Sequence, residues 1–143
     1  MMKKLMKPFR IILIGLSILG CDPSESLEAV MSNKSGSDLN IHFVSDILHT
    51  GELDNARSVK LLSNKEAYFE GVDRGNVGLG NAVLSFTAYD SIYITNMSEE
   101  ILKIYKENTP GKNIYNIDEY WKVTESSKNH FVYTYIITQE DIE

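Results

Sequence analysis

The sequence predicts a small all-β domain, an antiparallel β-sandwich in the first instance with a barrel as the alternative. Three observations lead to this fold class. Polar and apolar residues alternate with a period of two along much of the chain after residue 27, which is the pattern of half-buried strands. Clusters of Asn, Asp, Ser, Gly and Pro separate the short apolar runs, as turns separate strands. Helical periodicity is scarce, so strands must form most of the core.

Leu39–Phe43 is the clearest strand of the first half, because its odd-numbered residues are apolar and its even-numbered residues polar. A weaker strand is predicted at Glu28–Ser32, and the turn-forming cluster Asn33–Asp38 lies between the two. We therefore expect these strands to pair as an N-terminal hairpin. Two further short strands are predicted at Val59–Leu62 and Ala67–Phe69.

In the second half, Val83–Tyr89 and Ser91–Thr95 are rich in β-forming residues and are predicted as strands. Ile101–Tyr105 is open to two interpretations. Asn96 followed by Glu99 resembles a helical capping box, whereas alternation along the segment suits a strand. We favour a hairpin with Ser91–Thr95, because a polar connection of five residues separates the two segments.

The last third contains a turn and the strongest strand of the sequence. Asn108–Asn113 includes Pro and Gly and predicts the turn, and Trp121–Thr124 is a short strand after it. His130–Thr138 is apolar on both faces, so we expect it to be central and buried on both sides. Short strands with frequent turns are typical of a sandwich that is immunoglobulin-like or similar.

The charge of the chain is distributed unevenly. The first 20 residues carry +4 and the whole chain −6, so the remaining 123 residues carry −10. An acidic body argues against nucleic acid as a partner, because phosphate binding needs clustered Lys and Arg, and against adhesion of the folded domain to anionic lipids. Cys21 is the only cysteine, so the core must hold the fold without a disulfide. At this length we expect one domain.

The first twenty residues have the organisation of a signal peptide. Met1–Arg10 is basic, and Ile11–Gly20 is an apolar stretch of ten residues. Ten helical residues measure about 15 Å, which is roughly half the hydrocarbon thickness of a bilayer. The stretch is therefore too short for a permanent span and fits the apolar core of a signal peptide.

The segment Ile18-Leu19-Gly20-Cys21 resembles the lipobox of bacterial lipoproteins, in which an aliphatic residue, a tolerant position and a small residue precede the modified cysteine. The resemblance implies cleavage before Cys21, attachment of a diacylglyceryl group to its sulfur and anchorage at a membrane of the cell envelope. Two or more acyl chains anchor a protein stably, whereas a single chain binds reversibly. Which membrane and which leaflet hold the anchor stays open.

These features divide the chain into three parts. Residues 1–20 are the predicted signal peptide, residues 21–28 a lipidated polar tether and residues 29–143 a single β-rich domain. The alternative is cleavage after Ser17, where Gly15 and Ser17 are both small, with Cys21 incidental.

The histidines and glycines do not combine into a catalytic or metal-binding motif. His42 lies on the polar face of a predicted strand, His49 follows in a loop and His130 begins another strand, without the close spacing of zinc ligands. The run Gly71–Gly80 lacks the Gly-Lys-Ser/Thr of a phosphate-binding loop and is expected to connect strands. We therefore expect no metal, no cofactor and a non-catalytic domain.

Aromatic residues crowd the last third, and Tyr115, Tyr120 and Trp121 are the candidate binding residues. Tyr and Trp anchor protein interfaces and stack on sugar rings, because they offer a large rigid surface with a polar tip. They also fill sandwich cores, so both interpretations stay open.

Three functions are compatible with these features. We favour a lipid-anchored, non-catalytic domain that binds a protein or a glycan in the bacterial envelope. An immunity-type or assembly factor with a basic protein partner is the second, and the charge of −10 on the body suggests it. A small hydrolase is the third, because the 20 Asp and Glu residues offer carboxylates whose separation in space a sequence does not give.

Overall fold

The computed structural model describes residues 25–45, 56–74 and 84–143. Strands in these ranges form two four-stranded sheets, the first in the order β4-β1-β8-β7 and the second in the order β3-β2-β5-β6. The sheets pack over a shared core, which confirms the predicted all-β sandwich over a single closed sheet. The elements are β1 (Glu25–Lys34), β2 (Leu39–Val44), β3 (Ala56–Leu61), β4 (Glu66–Arg74), β5 (Ser91–Asn96), β6 (Ile101–Tyr105), the one-turn helix α1 (Ile117–Tyr120), β7 (Trp121–Ser127), β8 (His130–Thr138) and a 3-10 helix (Gln139–Asp141).

The core lies between the sheets and is built from alternate residues of the strands. Aromatic rings from both sheets meet at its centre, where Phe43 stacks on Phe69 with 4.2 Å between ring centroids and Phe86 on Trp121 with 5.4 Å. β1 and β2 each bury every second residue almost completely, namely Leu27, Ala29 and Met31 in β1 and Leu39, Ile41 and Phe43 in β2.

The predicted N-terminal hairpin is wrong. β1 pairs with β4 and β8, whereas β2 pairs with β3 and β5, so the two strands lie in different sheets. Asn33 stabilises the loop between β1 and β2. Its buried amide donates to the carbonyls of Ser37 and Leu61 at 2.7 and 3.0 Å, and its Oδ1 accepts the N–H of Ser35 at 2.9 Å. Turn-forming residues suit an arch between sheets as well as a hairpin. Because β1 and β2 face each other across the core, both strands bury their apolar faces.

The second predicted hairpin is confirmed, because Ser91–Thr95 and Ile101–Tyr105 fall in the antiparallel pair β5 and β6. Asn96 does not begin a helix. Its Oδ1 accepts the N–H groups of Ser98 and Glu100 at 2.9 and 3.0 Å within the turn that joins the strands.

The strand predicted at Val83–Tyr89 is wrong for residues 84–89, which lie outside both sheets. Leu84 and Phe86 are buried while Ser85 is exposed. The alternation therefore comes from an irregular segment that inserts two side chains into the core without pairing to a strand. The Tyr89 N–H then closes a turn onto the Phe86 carbonyl at 2.9 Å.

The remaining short strands are confirmed. Val59–Leu62 overlaps β3, Ala67–Phe69 lies within β4 and Trp121–Thr124 begins β7. β4 continues through Gly71 to Arg74, where the sequence predicted a connection.

β8 matches the predicted strand His130–Thr138 residue for residue and is an interior strand. It runs parallel to β1 and antiparallel to β7. The expectation that it is buried on both sides is wrong, because Tyr135 and Ile137 are buried while Ile136 is 39 % exposed. A sandwich has two layers only, so one face of every strand lies on the surface of its sheet.

The boundaries of the domain differ slightly from those predicted. β1 begins at Glu25, so residues 25–28, which were assigned to the tether, belong to the first sheet. The predicted signal peptide at 1–20, Cys21, the start of the tether, His49 and residues 75–83 lie outside the described residues. Within the described ranges, neither helix has the length and hydropathy needed to cross a membrane.

Candidate binding pocket

The inner face of the first sheet is covered along most of its strands and is accessible at one corner of β7. β7 and β8 place Trp121 opposite Tyr135 and Val123 opposite Tyr133, and alternation puts all four side chains on the same face. Trp121 and Tyr135 are 5 % and 0 % exposed, whereas Val123 is 48 % exposed and Tyr133 is half-buried. On β1 the core continues at this level, because Ala29, the partner of Tyr133, is 0 % exposed. The accessible part of the inner face is therefore the corner at β7, next to Val123.

A pocket of about 500 Å³ lies at this corner. Its volume falls in the range of roughly 300–1,000 Å³ that is typical of ligand sites. The lining consists of two tyrosines, two aliphatic residues, one amide and two carboxylates, namely Tyr115, Tyr133, Leu84, Ile117, Asn116, Asp118 and Glu119.

The segment between β6 and β7 forms the wall that carries Tyr115. Asn113 is fully buried; its Nδ2 donates to two carbonyls of the preceding turn at 2.7 and 3.0 Å, and its Oδ1 accepts the N–H of Tyr115 at 3.1 Å. The Trp121 Nε1 donates to the carbonyl of Ile114 at 2.8 Å. Two buried polar side chains thus satisfy backbone groups on or next to Tyr115, and buried hydrogen bonds of this kind fix a loop in one conformation.

Further contacts tie the wall to the rest of the domain. The Tyr115 hydroxyl donates to the carbonyl of Tyr89 at 3.1 Å, and its ring meets Phe86 edge-on with 6.2 Å between centroids. At the start of the wall, Lys112 Nζ donates to the carbonyl of Ile136 at 2.7 Å and to Asp141 Oδ2 at 2.5 Å. The wall is therefore anchored on β8 as well as on the irregular segment 84–90.

The charged groups of the pocket lining are both acidic. Asp118 and Glu119 are exposed on α1, and within the described ranges neither lies within ion-pair distance of a Lys, Arg or His side chain. Burial raises the pKa of Tyr133, and the carboxylates of Asp118 and Glu25 raise it further. Tyr133 is therefore a neutral phenol at pH 7, next to negative charge.

The segment that carries Tyr115 also lies close to acidic groups. Burial, the largest cause, together with the carboxylates of Asp90 and Glu107 raises the pKa of Tyr115 to about 12. Both tyrosines thus present neutral rings in a negative potential, an arrangement that favours a cation over an anion.

The three aromatic residues singled out from the sequence occupy different places. Tyr115 lines the pocket, Tyr120 is half-buried and packs against the core, and Trp121 lies in the core. A hydrogen bond to Glu119 raises the pKa of Tyr120. Tyr133, the second ring of the pocket, belongs to the aromatic-rich last third but was not among the candidate binding residues. Its alternation with Tyr135 indicates which face it shares, but not that it lines a pocket.

The described histidines lie on the outer faces of the sheets, away from the pocket. The His42 ring stacks on Tyr93 with 4.5 Å between centroids, and its Nε2 is 3.0 Å from Thr95 Oγ1. His130 Nδ1 lies 2.5 Å from Ser26 Oγ. No group of three His, Cys, Asp or Glu side chains in residues 25–45, 56–74 and 84–143 is close enough to hold a metal ion.

Comparison with known proteins adds no family to these observations. No protein-family model matches the chain, and neither the curated proteins nor the solved structures contain a significant match.

Proposed function

We propose that the chain is a lipid-anchored, non-catalytic binding domain of the bacterial envelope, and that the pocket between Tyr115 and Tyr133 is where it binds its partner. The observation that carries this proposal is the pocket of about 500 Å³ at the uncovered corner of the first sheet. Tyrosine rings are strong anchors in interfaces, and these two stand on a wall and a strand that are fixed by buried contacts.

The predicted anchor is joined by a few residues to β1, the strand that pairs with the pocket residue Tyr133. Tyr133 is paired with Ala29, four residues after the start of β1. Cys21 precedes Glu25 by four residues, a distance of at most about 14 Å in an extended chain. Acylation at Cys21 would therefore hold the pocket close to the membrane surface.

The anchor is tested by intact mass and membrane fractionation of the native protein and a Cys21→Ala variant. We expect the native protein to lose residues 1–20, to gain acyl mass and to sediment with membranes, while the variant does none of these. Cleavage of both forms after Ser17, with both soluble, would contradict the lipoprotein assignment.

The pocket is tested in cells by a photo-crosslinking amino acid at Asn116, which lines the pocket and is exposed. The matched control carries the same amino acid at Lys60, an exposed residue of β3 in the second sheet. We expect a discrete adduct from position 116 that Tyr133→Ala weakens, and no adduct from position 60. Equal adducts from both positions, or none from position 116, would refute binding at the pocket.

A second candidate function, a small hydrolase, is favoured by one arrangement on the outer face of the first sheet. Ser26 Oγ lies 2.5 Å from His130 Nδ1, and His130 Nε2 lies 3.7 Å from Glu28 Oε1, the order of groups that activates a serine nucleophile. The N–H of Ser26 is already bonded to the Asn129 carbonyl at 2.9 Å, so it does not offer an oxyanion donor. Hydrolysis of a chromogenic acetate ester that Ser26→Ala reduces by about a hundredfold or more would make this function the better one.

A further inference from the structure

The pocket combines features that together recognise one kind of ligand. Its rings belong to Tyr115 and Tyr133, and its charged groups are the carboxylates of Asp118 and Glu119. An aromatic face attracts an ammonium or guanidinium group, and a carboxylate pairs with the same groups. Among the described residues that line the pocket there is no Lys or Arg, so none of these residues supplies the cation that the pocket favours.

We propose that the pocket binds a lysine or arginine side chain of a basic polypeptide, an inference that rests on the binding function proposed above. The half-buried Ile117 offers an apolar surface for the aliphatic stem of such a side chain, as long cationic side chains commonly use. The rings and the two carboxylates of α1 receive its charged head.

The charge of the domain favours a polypeptide over a neutral glycan. The chain after residue 20 carries −10, and a net charge of this size steers an oppositely charged chain towards the surface. A neutral sugar would use the tyrosine rings but would gain nothing from that field. Binding that depends on it must weaken as salt increases, because exposed charges are screened.

The test uses the lipidated mature protein in a neutral detergent and fluorescence anisotropy of two labelled probes, hexa-arginine and a neutral tetramer of N-acetylglucosamine. Empty micelles are the blank. The pocket variant Asp118→Asn/Glu119→Gln is compared with Glu66→Gln/Glu140→Gln, which removes the same charge from exposed positions outside the pocket lining. Tyr133→Leu tests the ring.

We expect hexa-arginine to bind and the neutral tetramer not to bind. The pocket double variant should weaken binding of hexa-arginine about three- to tenfold, as for one or two exposed ion pairs. Tyr133→Leu should weaken it about two- to fivefold through loss of the ring–cation contact. The control double variant should bind as the native protein does, and thermal unfolding of each variant verifies that it is folded.

The contrary results separate this inference from the function on which it rests. Equal weakening by both double variants would mean general attraction to an acidic surface and would overturn the inference. Binding of the neutral tetramer alone, sensitive to Tyr133→Leu, would also overturn it while leaving a glycan-binding domain. Failure of both probes with a persistent adduct from position 116 refutes the cationic ligand, whereas loss of that adduct as well refutes the binding function itself.

Discussion

Tyr135 and Tyr133 stand two residues apart on β8 and share a face of the first sheet, yet one is core and the other lines a pocket. Tyr135 packs against Trp121 with 5.3 Å between ring centroids and edge-on against Tyr105 with 6.4 Å. Tyr133 lines the pocket together with Tyr115. The alternation of a strand thus fixes which face a side chain occupies, whereas the neighbouring layer decides whether that face is covered.

The largest effect should come from truncating the two tyrosines. Tyr135→Ala removes a fully buried ring and should lower the free energy of unfolding by about 3–5 kcal/mol, the range for large aromatic residues in cores. Tyr133→Ala removes a half-buried ring and should cost about 1 kcal/mol. Urea unfolding of both variants measures the difference. Similar costs would mean that the corner is as tightly packed as the core.

The same comparison explains how much of the fold was predictable from the sequence. A period-two pattern located β2, because burial of one face leaves a local trace, whereas β5 and β8 were located by their β-forming and apolar residues. Leu84 and Phe86 left the same trace without a strand, since inserting alternate side chains into the core does not require a ladder of hydrogen bonds. The partner of β1 was not predictable, because Asn33 can hold an arch or a turn and only distant residues such as Leu61 distinguish the two.

For a similar reason, only part of the pocket was predictable from the sequence. Tyr115 stood out by composition, but its orientation depends on Asn113 and on the Trp121 indole, and neither contact follows from spacing alone. Tyr133 could be assigned to a face and not to an opening, because the position of the wall relative to β8 is a property of the packed layers.

Asn113→Ala tests whether the buried hydrogen bonds of the wall maintain the shape of the pocket. The buried amide bonds two carbonyls and the Tyr115 N–H, so its loss should cost about 1–3 kcal/mol in the free energy of unfolding. It should also weaken binding of hexa-arginine, because the wall loses its fixed conformation. The control Asn116→Ala changes an exposed amide that caps no backbone group of α1 and should alter stability by less than about 0.5 kcal/mol. Normal binding of hexa-arginine by the Asn113→Ala variant would show that the pocket does not depend on these hydrogen bonds.

Removal of the ion pair between Lys112 and Asp141 should have a smaller effect on the free energy of unfolding, and this effect should depend on pH. Burial raises the pKa of Asp141, but hydrogen bonds from Lys112 and Thr138 outweigh burial and hold the pKa below its ordinary value. A carboxyl with a lowered pKa in the fold contributes stability above its unfolded pKa of about 3.9, and this contribution disappears as the pH falls through the lower folded value.

Asp141→Asn should therefore destabilise the protein at pH 7 by at most about 1 kcal/mol, as expected for a partly exposed ion pair. The difference from the native protein should shrink below about pH 4. Thermal unfolding across this pH range measures it, with Glu140→Gln as the control for an adjacent exposed carboxylate. If the difference in stability between Asp141→Asn and the native protein stays constant with pH, the hydrogen-bond geometry of Asp141 and not its charge stabilises the wall.

The smallest effect is expected at Val123, the residue opposite Tyr133 on β7. It is apolar and faces inward, so the sequence pattern alone would place it in the core, but it is 48 % exposed. Val123→Thr should therefore change the free energy of unfolding by less than about 0.5 kcal/mol. The comparable change Ile137→Thr, at a fully buried position of β8, should cost more than about 1 kcal/mol, because it puts a hydroxyl into the core. A large cost at Val123 would mean that a covering layer closes this corner in solution, and the pocket would then have to open before anything could bind.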